Sequence, residues 1–79
     1  MTVRLFASLK EIIGSSHIFL KLQDSAAVSD LLNEFIHQYP QLQPLSNNIL
    51  VSINLEYADK SQLIHPDDEI TLFPPVSGG

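Results

Sequence analysis

The chain has 79 residues, 44% of them hydrophobic and 16% charged, with four Lys and Arg against nine Asp and Glu and a net charge of −5. That apolar fraction belongs to one folded domain and excludes a disordered chain. The cations, scattered at Arg4, Lys10, Lys21 and Lys60, exclude the clustered positive surface that nucleic acid or an anionic membrane demands.

There is no cysteine, which removes disulfides, thiol nucleophiles and thiolate metal ligands together. The opening MTVRLFASLK lacks the apolar centre of a signal peptide, and no stretch approaches the roughly eighteen apolar residues of a membrane span. The expectation is a cytoplasmic protein.

In chain order, TVRLFA (2–7) alternates, with Val3, Leu5 and Ala7 on one face and Arg4 and Phe6 on the other, which predicts a strand. SLKEII (8–13) predicts a short helical turn that Gly14 ends. HIFLKL (17–22) follows as a second strand with Ile18, Leu20 and Leu22 on one face, paired hairpin-fashion with the first. Val28, Leu31, Leu32, Phe35, Ile36 and Tyr39 then fall at spacings of three, four, seven, eight and eleven, one apolar stripe along a helix that Pro40 stops. Ser25 and Ser29 are its candidate caps, because Ala27 has no capping side chain.

QLQPLSNN (41–48) reads as a loop, ILVSINL (49–55) as a β-branched buried strand, and the region of Tyr57 as a brief strand in a turn-rich stretch. HPDDE (65–69) is a turn before the last strand, ITLF (70–73), which Pro74 and Pro75 end. A single helix stripe can cover one face of a small sheet. The predicted fold is therefore α+β: a mixed sheet of four or five strands on one main helix, the ubiquitin-like β-grasp. Residues 1–73 form the domain and 74–79 a flexible extended tail.

Turning Val3, Leu5, Ile18, Leu20, Val51, Ile53, Ile70 and Leu72 toward the helix sends Phe6, Phe19, Leu50 and Phe73 to the other face. Such a face is normally polar, so it reads as a protein-docking surface unless a bulge or a covering loop hides it. His17, His37 and His65 match no ligand spacing, and Asp67, Asp68 and Glu69 read as a solvated turn. No phosphate loop, nucleophile elbow or paired carboxylate is present, so the residues hold no autonomous active site.

What remains is FPPVSGG (73–79). The chain has three glycines, and two are its last residues, an arrangement chance supplies in roughly one chain in two hundred. Pro74 and Pro75 favour an extended backbone that cannot re-enter a sheet, Val76 and Ser77 are small, and Gly78 and Gly79 present almost no cross-section. Such a tail suits a narrow channel that delivers the carboxylate of Gly79 to an activating partner.

FASLKEIIG, the helix after VSDLL, and DDEITLFPPVSGG together resemble the small, sulfur-carrying subunit family of molybdopterin synthase, over residues 2–79. The resemblance implies that Gly79 is adenylated by an ATP-dependent enzyme similar to ubiquitin-activating enzymes, converted by a sulfur donor to a thiocarboxylate, and inserted into the large synthase subunit. There it would give sulfur to a cyclic pyranopterin monophosphate, in a heterotetramer, with ATP used by the partner and no cofactor held by this chain. It also implies Gly78 as the narrow neck, Phe73, Pro74 and Pro75 as the tail root touching both partners, Val76 and Ser77 as the stretch beyond it, and Phe6 and Tyr57 as docking positions.

Lys10 stands where that family often has Arg, which keeps the charge and loses the bidentate geometry. Where the family has Asp-Gly-Asp-Glu this chain has Pro66-Asp67-Asp68-Glu69, so Asp67 is expected to take the left-handed conformation of the glycine. Carriers serving thiamin, cysteine or transfer RNA thiolation, and ubiquitin-like protein modifiers, use the same activated terminus.

Overall fold

Residue pattern and backbone agree most closely at the main helix. In the computed structural model, which describes residues 1–75, it runs Val28–Gln38 (α2) and buries Val28, Leu31, Leu32 and Phe35. Its cap is Ala27, not Ser25 or Ser29. The exposed amide hydrogens of the first turn are satisfied from outside the helix: Val28 and Ser29 N–H donate to the carbonyls of Gln62 and Lys60 at 2.9 and 3.0 Å. The Asp30 carboxylate in turn accepts from the Ala27 N–H at 2.9 Å. A side-chain cap is unnecessary once a neighbouring segment supplies the acceptors.

The sheet has five strands: β1 Thr2–Leu5, β2 His17–Phe19, β3 Leu50–Ile53, β4 Glu56–Ala58 and β5 Ile70–Phe73. Their order is β2-β1-β5-β3-β4. β1 runs parallel to its partner β5, and the pairs β1–β2, β3–β5 and β3–β4 are antiparallel. A mixed sheet with two strands on each side of a central β5 and one covering helix is the β-grasp expected from the sequence. All eight predicted inward residues of β1, β2, β3 and β5 and the segment after β2 are buried, from Val3, Leu20 and Leu72 at 0% exposure to Ile18 at 8%. They form one core with α2.

The short helix Ser8–Ile13 (α1) ends at Gly14, whose left-handed backbone (φ 84°) donates its N–H to the Lys10 carbonyl. Leu9 pins this helix into the core.

Besides the cap, other expectations change: β1 stops at Leu5 and leaves Ala7 exposed, and β3 stops at Ile53, which puts Asn54 and Leu55 in a turn. β2 stops at Phe19, so Leu20 and Leu22 belong to the connection, with Leu20 N–H donating to the Met1 carbonyl. The stretch Pro40–Asn48 is not an open loop but a 3-10 helix. Leu42 is buried and Leu45 half-buried, and a spacing of three keeps both on one face of a three-residue turn. Finally, Asp67 is not among the left-handed residues, which are Ala7, Ser25, Asn54 and Leu55 besides Gly14. The turn closes instead through Asp68, whose N–H donates to the His65 carbonyl and whose carboxylate accepts from the His65 N–H.

Candidate functional site

The outer face of the sheet is built by register. Leu5 pairs with Leu72, and the Phe6 N–H donates to the Leu72 carbonyl at 3.1 Å, so Phe6 arrives beside Phe73. Their ring centroids lie 5.1 Å apart, tilted by 52°. From the other side, Leu50 pairs with Phe73 across β3–β5 and Ser52 with Tyr57 across β3–β4. Ser52 is small and buried, which lets Tyr57 reach over it to Phe73, edge to face at 5.8 Å. Tilted and T-shaped contacts are the favoured aromatic geometries.

The three rings remain accessible. Phe6 is 50% and Tyr57 71% exposed, Leu50 39%, and Phe73 is half-buried between its two partners. No loop covers them among the described residues, and no bulge interrupts the described ladders. Phe73 is followed at once by the half-buried Pro74 and Pro75, so the root of the tail leaves the sheet from the middle of the apolar patch. Gly78 and Gly79, with Val76 and Ser77, lie outside the described residues.

Phe19 does not join this cluster. It pairs with Thr2 at the start of β1, four residues from Phe6, about 13 Å along a strand, and stands alone at 63% exposure on an edge strand. Lys10 is exposed on α1 and does not line the shallow depression that the rings border. That depression, about 270 Å³, is lined by Arg4, Phe6, Ser52, Leu55, Tyr57, Thr71 and Phe73. Arg4, Ser52, Leu55 and Thr71 are the members that the sequence did not single out. For Arg4 the signal was present, since alternation along β1 puts it on the same face as Phe6; for Leu55, read as the end of the strand 49–55, there was none.

The turn that carries Leu55 is held through its neighbour Asn54. The Asn54 N–H donates to the Glu69 carbonyl at 2.8 Å, and the Glu69 N–H donates to the Asn54 side-chain oxygen at 2.9 Å. The Asn54 amide donates to Asp68 at 2.9 Å. The His65 N–H first, and then this amide, hold the Asp68 carboxyl below the usual carboxylate range. Asp59 is lowered likewise by the Ser61 hydroxyl and then the Ser61 N–H. Hydrogen bonds donated to the ionised form are the cause in both.

An apolar aromatic platform, a tail root at its centre and a β-grasp with one main helix beneath it define the class: a ubiquitin-like domain. A profile of the ThiS family matches residues 3–79, and the chain belongs to that family. It is 39% identical to the molybdopterin synthase sulfur carrier subunit of Dictyostelium discoideum, over 98% of this chain and 93% of that protein. It is 34% identical to small archaeal modifier protein 1 of Haloferax volcanii, over all of both chains. A crystal structure of that archaeal protein superposes with a TM-score of 0.82 at 33% identity, covering 100% of this chain and 98% of that one. No helix among the described residues is long and apolar enough to cross a membrane.

Proposed function

We propose that this protein carries sulfur as a thiocarboxylate on Gly79 and delivers it to a cyclic pyranopterin monophosphate as the small subunit of a molybdopterin synthase. The observation that supports this reading is the exposed Phe6–Phe73–Tyr57 cluster from which Pro74 and Pro75 depart. A partner that must handle Gly79 finds an apolar anchor site where the tail begins. Full-length similarity to a molybdopterin synthase sulfur carrier subunit adds the chemistry.

A carboxylate is a poor electrophile, so the Gly79 carboxylate first attacks the α-phosphate of ATP on the activating enzyme and expels pyrophosphate. A sulfur donor at the oxidation level of sulfide then attacks the acyl carbon and AMP leaves. The thiocarboxylate sulfur, inserted into the large subunit, attacks a carbon of the pterin precursor and displaces the oxygen substituent bonded there; water later cleaves the acyl–sulfur bond, leaving the sulfur on the pterin and returning the Gly79 carboxylate. Gly78 keeps the neck narrow, Val76 and Ser77 pass with it, and Lys10 faces an acceptor carboxylate on a partner. ATP is bound by the activating enzyme, and two small subunits flank a dimer of large ones.

A second reading, as a protein modifier joined to lysines through the same activated terminus, draws support from the full-length similarity to small archaeal modifier protein 1. One reconstitution tests both. The chain, ATP and the activating enzyme of its own organism are followed by pyrophosphate exchange, and the charged product is offered to the large subunit with precursor. Exchange that disappears when one residue is appended after Gly79, followed by pterin sulfuration, is the expected result. Exchange followed only by isopeptide adducts selects the modifier, and no exchange refutes both.

A further inference from the structure

Among the described residues Leu55 is the most solvent-exposed large hydrophobic side chain, at 88%, and it occupies the second of two consecutive left-handed positions, Asn54 at φ 52° and Leu55 at φ 73°. A two-residue hairpin turn of this kind favours Asn at the first position and Gly at the second. Asn54 fits, whereas Leu55 is strained by its Cβ. It is neither a good turn residue nor a core residue. The hydrogen bonds of Asn54 to the Asp68 carboxylate and the Glu69 backbone fix this turn, and the leucine stands clear of the fold. Stored strain beside a binding face is a feature that folding alone does not select.

The strained leucine sits beside the aromatic cluster at the root of the tail. It lines the same depression as Phe6, Tyr57, Phe73 and Arg4. Gly79 lies four residues past Pro75, at most about 14 Å of chain, so the active site of an enzyme that acts on it comes within that distance of Pro75, next to Phe73 and the aromatic cluster. Arg4 pairs in register with Thr71 of β5 and brings a guanidinium to that depression, in a chain whose net charge is −5.

We propose that Leu55 is a second apolar anchor for the ATP-dependent activating enzyme, and that Arg4 beside it sets specificity. The matching surface of that enzyme presents an apolar socket for Leu55 with a carboxylate facing Arg4. This rests on the activation of Gly79 proposed above.

Three variants separate docking from structure: Leu55→Asn, which tolerates the left-handed backbone but removes the apolar group, Leu55→Met, which restores it, and Arg4→Gln. Pyrophosphate exchange with the organism's own activating enzyme gives KM and kcat for the carrier, and thermal melts give stability. Leu55→Asn is expected to raise KM about five- to twenty-fold while raising the melting temperature by roughly 2–6 °C, a combination no purely structural role produces. Leu55→Met recovers most of the KM loss. Arg4→Gln raises KM several-fold at 50 mM NaCl, and that difference collapses at about 0.5 M, where exposed charges are screened.

Exchange by the parent chain with a KM for Leu55→Asn within two-fold of it overturns the anchor. An Arg4→Gln effect that is absent or insensitive to salt overturns the ionic contact. Failure of the parent chain itself to support exchange overturns the function and this inference together.

Discussion

Truncating Phe6 to alanine separates stability from docking, because the structure leaves this ring half in solvent. Burying a whole phenylalanine side chain contributes about 1.5–3 kcal/mol, of which the half-exposed Phe6 realises roughly half. Its one aromatic partner, Phe73 at 5.1 Å, overlaps with that burial and brings the cost of Phe6→Ala to about 1–2 kcal/mol. A domain of this size has about 4–12 kcal/mol in total, so even at the low end more than about 95% of the variant stays folded at 25 °C. A central aromatic anchor of an interface contributes about 2–4 kcal/mol to binding, which corresponds to a rise in KM for the activating enzyme of roughly 30- to 1,000-fold. The assay pairs urea unfolding with pyrophosphate exchange over a range of carrier concentration. A KM within three-fold of the parent chain, in a variant that unfolds cooperatively, refutes the argument that the aromatic patch is the docking face.

Phe73→Asp places a charge between two rings, and it is expected to abolish exchange while lowering the urea midpoint more than Phe6→Ala does. Phe35→Ala empties a fully buried site and should cost about 3–5 kcal/mol, measured by the same unfolding titration. Gly14→Ala meets no atom within 4 Å, so its cost is confined to the left-handed backbone at φ 84° and is about 1–2 kcal/mol. The Asp68 carboxyl is held below its usual range in the folded state, so its stabilisation is present above about pH 4 and is lost as the pH falls through the lowered folded value. Melting temperature plotted from pH 5 to pH 2 should fall less steeply for Asp68→Asn than for the parent chain.

The periodic elements were legible because one physical rule governs each. Alternation places Val3 and Leu5 inward and Phe6 outward, and the stripe from Val28 to Phe35 admits only a helix with one buried face. What escaped depended on partners distant in sequence. The cap of α2 could not be read from Ser25 or Ser29, since the acceptors come from Lys60 and Gln62. The 3-10 helix Pro40–Asn48 was hidden because two leucines three apart are too few to announce a period.

At the site, alternation correctly turned Phe6, Leu50 and Phe73 outward. It could not say which of them meet: register keeps Phe19 beside Thr2 and draws Tyr57 in over Ser52. Leu55 was missed for a related reason. Nothing in a turn-rich stretch signals that its leucine adopts a conformation suited to glycine, until Asp68 and Glu69 are seen to hold the turn.

The central claim is that Gly79 bears the sulfur, and an intact and fragment mass spectrum of the protein, taken from cells that also contain its activating enzyme, addresses it directly. Replacing one terminal oxygen by sulfur adds nearly the same mass as oxidising Met1, the one methionine, so the fragments must locate the change. A gain on Gly79 is the predicted result. An unmodified Gly79, in cells where another sulfur carrier is charged, contradicts the account.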